Sequence, residues 1–391
     1  MTNIRRLLAG EQGMVLLTSL LILSLLLAVG LGSMLSVQNE FVITRNLRGG
    51  TSALYLADAG IEWGKEQIGL VTGNPPTLVD STQNLSSGNF SVSFISSTQM
   101  SPLSARIVFR STGTLGSSSQ TVQAQVSKNY DLADGALALR GNSRSINFAV
   151  SSFYISGLDY DPSSGATVPG AKPRAGITVN SSTLLGQVAN GLNNGQRGQI
   201  YGSGNGGTPV SLSERIPADV LVGLANDLCT APNAQIAVLP PSGTLSLTGQ
   251  TWGNHAAPQL HCISGLAESG DSVISGENFN GAGILVVKDA ALIVSGSFHW
   301  EGLIIVTGND IGFRTVGEAN KEVIGALMIN ETGAAVGSGP AIVDIQGAVQ
   351  ILYSRYALGA AASLVRSPTL AKNYDSLPFY LKQDYWRSLN P

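Results

Sequence analysis

The longest apolar segment of the chain lies near its amino terminus. Residues 13–39, GMVLLTSLLILSLLLAVGLGSMLSVQN, contain no charged side chain, and about 20 apolar residues are enough for a helix to cross a bilayer. Arg5 and Arg6 precede this segment, which predicts a cytoplasmic amino terminus and a far-side location for the residues after 40. A cleaved secretory signal has a shorter apolar core and a small-residue cleavage site, so the pattern disfavours one here.

A stripe with helical periodicity follows the apolar segment. Its members are spaced alternately by four and three residues, which is a heptad pattern: Ile43, Leu47, Gly50, Leu54, Ala57, Ile61, Gly64 and Ile68. Alternating large and small residues let another helix or a sheet approach closely. The stripe is therefore either a packing seam for other subunits or the face that an ordinary amphipathic helix packs on its own domain. With the apolar segment it predicts one long helix over residues 14–72.

Three segments with alternating apolar and polar residues come next. They are NFSVSFISS, SARIVFRST and QTVQAQVSK, and polar turns separate them. This pattern predicts a small antiparallel sheet within residues 73–129, with one face packed on the long helix. Residues 14–129 would then form one unit.

Residues 130–391 are rich in glycine and short β-type segments. Short apolar segments begin at Gly283, Gly302, Gly325 and Gly347, and such a recurrence is typical of stacked coils. We expect a β-solenoid-like, right-handed β-helix-like head over 130–391, with one internal helix near 211–229. A β-sandwich or a jelly roll is the alternative. The predicted fold class is α+β, mostly β.

Aromatic residues recur near the end of the chain, at Tyr374, Phe379, Tyr380, Tyr385 and Trp386. Repeat folds need a cover over the last coil, so we expect these side chains to cap the head. A partner-binding surface is the alternative.

The charge balance argues against one class of partner. Charged residues make up 12% of the chain, and the formal net charge is −3. A nucleic-acid-binding protein needs a basic face to neutralise phosphates, so no nucleic acid is expected.

The two cysteines, Cys229 and Cys262, have no metal-binding spacing. Outside the cytoplasm they are expected to form a disulfide, and two buried thiols are the alternative. Such a bond would close a loop and constrain the unfolded chain by roughly 3 to 4 kcal/mol.

Candidate sites for metals and catalysis are weak. Asp159 and Asp161 in DYDPSSG could offer oxygens to Ca²⁺, although this is also an ordinary turn sequence. A zinc site at His255, His261 and Cys262 lacks a second close ligand pair. No nucleophile elbow or convincing catalytic pair is present, so we expect neither a cofactor nor enzymatic activity.

The amino-terminal region resembles a known family. A basic leader ends at Gln12 and Gly13, an apolar helix begins at once with MVLLTSLLIL, and NLR precedes ALYLADAGIE at residues 53–62. This order resembles the amino-terminal domain of PilX-type minor pilins, which are type IV pilus assembly proteins related to the minor pseudopilins of type II secretion. Major pilins carry Glu at the fifth position after the leader, where this chain has Thr18. The departure favours a minor pilin.

The resemblance implies a route from membrane to filament. A prepilin peptidase would cut between Gly13 and Met14 and leave residues 1–13 as a leader. The helix would stay in inner-membrane lipid until it joined other pilins and the assembly machinery in a pilus tip or priming complex at the cell surface. The alternative is a periplasmic scaffold protein that stays anchored in the inner membrane and never enters a filament.

Overall fold

The computed structural model describes residues 4–71, 75–101, 104–141, 145–149, 152–203, 210–213, 215–240, 243–265, 273–333, 342–365 and 379–389. Within these ranges the helices are α1 Ile4–Leu70, α2 Ser182–Gly191, α3 Asn194–Arg197, α4 Ala218–Cys229 and α5 Arg355–Ala362.

The strands up to the start of α4 are β1 Ser81–Leu85, β2 Gly88–Ser101, β3 Ser104–Leu115, β4 Ser118–Tyr130, β5 Gly135–Gly141, β6 Ile146–Phe148, β7 Phe153–Ser156, β8 Ala175–Val179, β9 Ile200–Tyr201 and β10 Val210–Leu212. The strands after α4 are β11 Ala234–Val238, β12 Thr244–Ser246, β13 Thr251–Trp252, β14 Gln259–Ser264, β15 Val273–Lys288, β16 Ala291–Gly308, β17 Gly312–Val316, β18 Lys321–Glu331, β19 Val343–Ile345, β20 Val349–Tyr353 and β21 Phe379–Ser388. The chain is thus mostly β with one long amino-terminal helix.

The first sheet is antiparallel and packs on the second half of α1. Its strand order is β1-β2-β3-β4-β21, and β2 to β4 are the three strands that the alternating segments predict. Alternate residues of β3 are buried, and Phe90, Ile107, Phe109 and Ala124 form a core with Ile61 of α1. One face of the sheet therefore covers the helix, as expected for a half-buried antiparallel sheet.

The last strand departs from the sequence-based division of the chain. That division assigned all of 130–391 to the head, but β21 pairs antiparallel with β4 in the first sheet. The ring of Phe379 packs edge-on against Tyr130, 6.2 Å between centroids, which holds the returning strand beside β4. The head, residues 135–365, is thus an insertion between two neighbouring strands.

Aromatic residues that were expected to cap the head lie on strand β21 of the first sheet instead. Tyr385 and Trp386 lie on this edge strand and are partly exposed. Tyr374 lies outside the described residues.

The head consists of three parallel ladders around a main hydrophobic core, and a smaller buried cluster of Tyr160, Ile324, Leu352 and Ala357 lies beside it. The first ladder has the order β10-β8-β5-β18-β16-β15-β14-β11. The second links β12, β15, β16, β17, β19 and β6, and the third links β13, β15, β16, β18, β20, β7 and β9. The long strands β15 and β16 take part in all three ladders. One strand segment from each ladder together forms one coil, and the coils stack along the direction of the hydrogen bonds.

The coils do not follow the chain from one end of the stack to the other. The chain enters at β5, advances through β8 to β10, and then crosses along α4 to the opposite end at β11. From there β14, β15, β16 and β18 advance until β18 pairs with β5. The observed head therefore matches the predicted β-helix only loosely, because the last coil formed along the chain packs on the first.

Three of the four repeat glycines form a column. Gly283, Gly302 and Gly325 are in register on neighbouring strands and have φ of 125°, 123° and 142°. A Cβ on Gly302 would lie 2.1 Å from the carbonyl oxygen of Gly283, so only glycine fits this corner. Gly347 is outside the column, because the partner of Gly325 in the next strand is Tyr353.

The internal helix is shorter than the sequence predicts. It was expected near 211–229, but residues 210–212 form β10 and α4 begins after Pro217. Proline is favoured near a helix start because its missing N–H needs no partner there.

Candidate functional site

The first half of α1 presents an apolar surface on all sides. Every residue from 14 to 48 is exposed, and among the described residues this is a helix long and apolar enough to cross a membrane. Four of its hydroxyl side chains, those of Thr18, Ser19, Ser24 and Ser33, donate to backbone carbonyls one turn earlier, for example Ser19 to Leu16 at 2.9 Å and Ser33 to Val29 at 2.9 Å. These groups therefore need no water, as a lipid environment requires.

The predicted cleavage position lies within this helix. Gly13 and Met14 are both helical, and Met14 is 68% exposed. Thr18, which stands where major pilins carry Glu, donates from Oγ1 to the carbonyl oxygen of Met14 at 3.0 Å. Its hydroxyl is thus engaged within its own helix. Residues 1–3 of the predicted leader lie outside the described residues.

The predicted packing seam divides into two parts. Ala57, Ile61 and Ile68 are fully buried against the first sheet, and Gly64 is buried with them. Ile43 and Leu47, by contrast, are 57% and 66% exposed. The second half of the seam packs on its own domain, and only the first half is exposed.

Glycines explain how closely the second half of α1 approaches the sheet. A Cβ on Gly64 would lie 2.5 Å from the ring of Phe109, and one on Gly60 would lie 2.0 Å from the hydroxyl of Ser111. On the sheet side, a Cβ on Gly113 would lie 2.1 Å from the carbonyl oxygen of Ala53. Gly64 of the seam, together with Gly60 and Gly113 outside it, therefore permits a close helix–sheet contact.

Two grooves flank α1 where it leaves the sheet. One, of about 500 Å³, is lined by Ile43, Leu47, Gly50, Leu54 and polar neighbours. The other, of about 460 Å³, lies beside Tyr55 and Leu56. Both combine apolar walls with an exposed large side chain, Leu47 at 66% and Tyr55 at 71%. These walls can accept apolar side chains of another helix.

The disulfide joins α4 to the end of the stack. Cys229 and Cys262 are bonded, with their Cα atoms 5.4 Å apart. Cys229 is the last residue of α4, and Cys262 lies in β14. The bond therefore fixes the long crossover to a coil near the β11 end.

The aspartates proposed for calcium are engaged with protein groups. Asp159 accepts hydrogen bonds from the backbone N–H of Arg355 at 2.8 Å and from its guanidinium at 3.3 Å. Asp161 accepts from the N–H of Ser163 at 2.8 Å, as in an ordinary Asx turn. Among the residues that the structure describes, no group of three or more His, Cys, Asp or Glu could hold a metal ion.

The zinc site considered at His255, His261 and Cys262 is not formed, because Cys262 is bonded to Cys229 and the two histidines contact other residues. His261 stacks on Trp252 with centroids 4.0 Å apart, and burial lowers the pKa of this imidazole to about 4. His255 lies 2.8 Å from Glu301. His299 contacts both Glu301 and Glu322, and the hydrogen bond to Glu322 is the largest cause of its raised pKa.

A polar row on the head was missed from the sequence. Outward side chains of the third ladder align from strand to strand: Asn280, His299, Glu322, Gln350 and Tyr154, with Tyr201 beside Tyr154. The sequence pattern that could have indicated this row is a single polar residue between two apolar ones, in segments such as FHW and VQI, whose apolar residues are buried in the structure. Without knowledge of which strands are neighbours, that signal describes any surface strand.

No protein-family model matches this chain, and no curated protein matches it. Among solved structures, the competence-associated pilin ComZ from Thermus thermophilus is similar to 87% of this chain over 97% of its own length, at 12% identity and a TM-score of 0.26.

Proposed function

We propose that this chain is a non-enzymatic, minor pilin-like subunit of type IV pilus machinery. One observation carries the proposal: α1 is a single helix that is apolar and exposed over residues 14–39 and packs its last turns on the antiparallel sheet. The same exposed leucines can pack either against lipid chains or against neighbouring apolar helices. Such a helix can therefore pass from a bilayer into a filament without refolding.

The proposed route follows the resemblance at the amino terminus. Prepilin peptidase cuts between Gly13 and Met14 on the cytoplasmic side of the inner membrane, and the helix then joins other pilins. The groove beside Ile43, Leu47 and Gly50 offers them an apolar surface next to the sheet. The bulk of the inserted head, residues 135–365, favours a place in a tip or priming complex over repetition along a shaft.

The test is mass spectrometry of the amino terminus, with protein recovered separately from membranes and from sheared filaments. We expect a terminus at Met14 and some protein in the sheared fraction. An intact terminus in protein found only in membranes would contradict the proposal and would support the anchored periplasmic scaffold.

A pair of variants sharpens this test. Gly13→Asp should abolish both processing and filament incorporation, because the cut follows this residue. Gly10→Asp makes the same change three residues earlier and should be processed normally. Equal behaviour of the two variants would argue against a cut at Gly13.

A further inference from the structure

Planar polar and aromatic side chains form a continuous outward row along the third ladder of the head. Asn280, His299, Glu322, Gln350 and Tyr154 occupy matching positions on five neighbouring parallel strands. Tyr201 extends the row, with its ring 5.0 Å from that of Tyr154. Six strands at a spacing of about 4.8 Å make the row about 24 Å long.

Buried neighbours fix the direction of these side chains. His299 lies between Phe298 and Trp300, and Gln350 lies between Val349 and Ile351, all four of which are buried. Since successive side chains of a strand point to opposite faces, the row faces outward. His299 and Glu322 are held in place by their 3.0 Å contact, and Tyr201 is 43% exposed.

The chemistry of the row suits an uncharged ligand with many hydroxyl groups. Amide, imidazole and carboxylate groups can donate to or accept from hydroxyls, and an aromatic face packs against the apolar face of a ring. The six positions contain no Lys or Arg and one carboxylate, Glu322. An anionic polymer would be repelled by that carboxylate and would find no Lys or Arg in the row.

The shape of the row suits a chain better than a small molecule. Small-molecule sites are concave and enclose most of the ligand surface, whereas Asn280, Gln350 and Tyr201 are exposed. Helix α5 stands along one side, where Tyr356 is 61% exposed and stacks on His255. An extended polymer can lie beside α5 and contact several strands of the third ladder in succession.

We propose that the row is a binding site for an extended, neutral polysaccharide. Tyr201 stacks on a sugar ring and is supported by the half-buried ring of Tyr154. Gln350, Glu322, His299 and Asn280 bond to hydroxyl groups. The site belongs to the head alone, so it goes beyond the proposed function and holds whether or not the chain enters a filament.

The test uses the full chain in detergent micelles and isothermal titration with three neutral probes: cellohexaose, chitohexaose and maltohexaose. We expect at least one to bind. Tyr201→Ala and Gln350→Ala should each raise its Kd about tenfold, which corresponds to about 1.4 kcal/mol. Both side chains are exposed, so circular dichroism should report an unchanged fold.

Tyr55→Ala is the matched control, because Tyr55 is an exposed tyrosine on α1, away from the head. It should leave the Kd unchanged. The proposal is overturned if no neutral probe binds, or if the row variants bind as well as the parent chain. Binding of only single-stranded DNA or an oligogalacturonate, added as anionic probes, would also overturn it.

Discussion

Lys128 is a buried cation at the end of α1. Its Nζ donates to the backbone carbonyl of Ile68 at 2.8 Å and also to that of Val71. The ammonium lies 4.5 Å from the ring centroid of Phe379. A cation at a helix carboxyl terminus satisfies free carbonyls and complements the helix dipole, so Lys128 ties α1, β4 and β21 together.

Lys128→Met should destabilise the first sheet by about 1–3 kcal/mol, because buried carbonyls lose their donor. Chemical denaturation in micelles, followed by hydrogen exchange of the last turn of α1, measures the change. Lys172→Met removes an exposed lysine from a loop and is the control. Equal stabilities of the two variants would show that the contacts of Lys128 contribute little.

His299 joins two coils through carboxylates on β16 and β18. Its hydrogen bond to Glu322, reinforced by Glu301, raises its pKa above the ordinary value of about 6.5. A raised pKa in the folded state stabilises the fold fully below about pH 6.5, and this contribution is lost as the pH rises through the folded-state pKa. His261 behaves oppositely, because burial lowers its pKa to about 4.

NMR titration of the imidazoles should therefore show His299 protonated at a higher pH than His261. His299→Gln should remove part of the loss of stability that denaturation detects as the pH rises above about 6.5. His261→Gln should leave that part of the profile unchanged. A titration of His299 below about 6.5 would contradict the role given to Glu322.

Among the elements, α1 combines two kinds of glycine. Gly64 faces the ring of Phe109, and a Cβ there would lie 2.5 Å from it. A Cβ on Gly50 would fit without a clash, because its nearest neighbour would be the side-chain amide nitrogen of Gln120 at an ordinary contact distance of 3.8 Å. The first glycine permits close packing, whereas the second only weakens the helix.

Opposite signs are expected when each of these glycines becomes alanine. Gly50→Ala should stabilise the helix by up to about 1 kcal/mol through propensity. Gly64→Ala should destabilise the domain by about 1–3 kcal/mol, because the buried ring of Phe109 must move. Thermal unfolding of the two variants side by side measures this, and a stabilised Gly64→Ala would mean that the interface relaxes freely.

Local patterns predicted most elements of the amino-terminal unit. The apolar segment and heptad stripe predicted α1, and alternation predicted β2 to β4, because helices and strands expose their periods directly in sequence. They left open whether Ala57, Ile61 and Ile68 pack on another subunit or on their own sheet, and the structure shows the second. An apolar stripe predicts that this face of the helix is buried. It does not show which element packs against it.

The arrangement of the head was harder to predict. Glycine spacing indicated stacked coils, and Gly283, Gly302 and Gly325 are indeed in register. The spacing could not reveal that α4 carries the chain to the far end, since neighbours in a stack need not be neighbours in sequence. The polar row and the return of β21 both depend on that long-range order.

At the scale of the molecule, the head is a closed insertion. The chain leaves β4 at Tyr130, forms every coil, and returns to pair Phe379 with Tyr130. The last coil pairs with the first through Leu327 and Leu137. The two ends of the stack, at β10 and β11, are connected to each other through α4.

Native-state hydrogen exchange should therefore find one opening free energy for β8 and β14, which lie near opposite ends of the stack. The reason is that α4 and its disulfide link these ends. Strand β2 of the first sheet serves as the comparison outside the head. Exchange from β14 at a free energy several kcal/mol below that of β8 would contradict this linkage.

The closed order has a mechanical consequence. In a linear repeat array, each unit contacts only its neighbours, so a pulling force can peel units away from a chain end. Here a force carried by α1 reaches the head through β4 and β21, which join coils in the interior of the stack. Peeling cannot begin at an outermost coil, and traction on the anchor would have to break the contact between first and last coils before any coil unwinds.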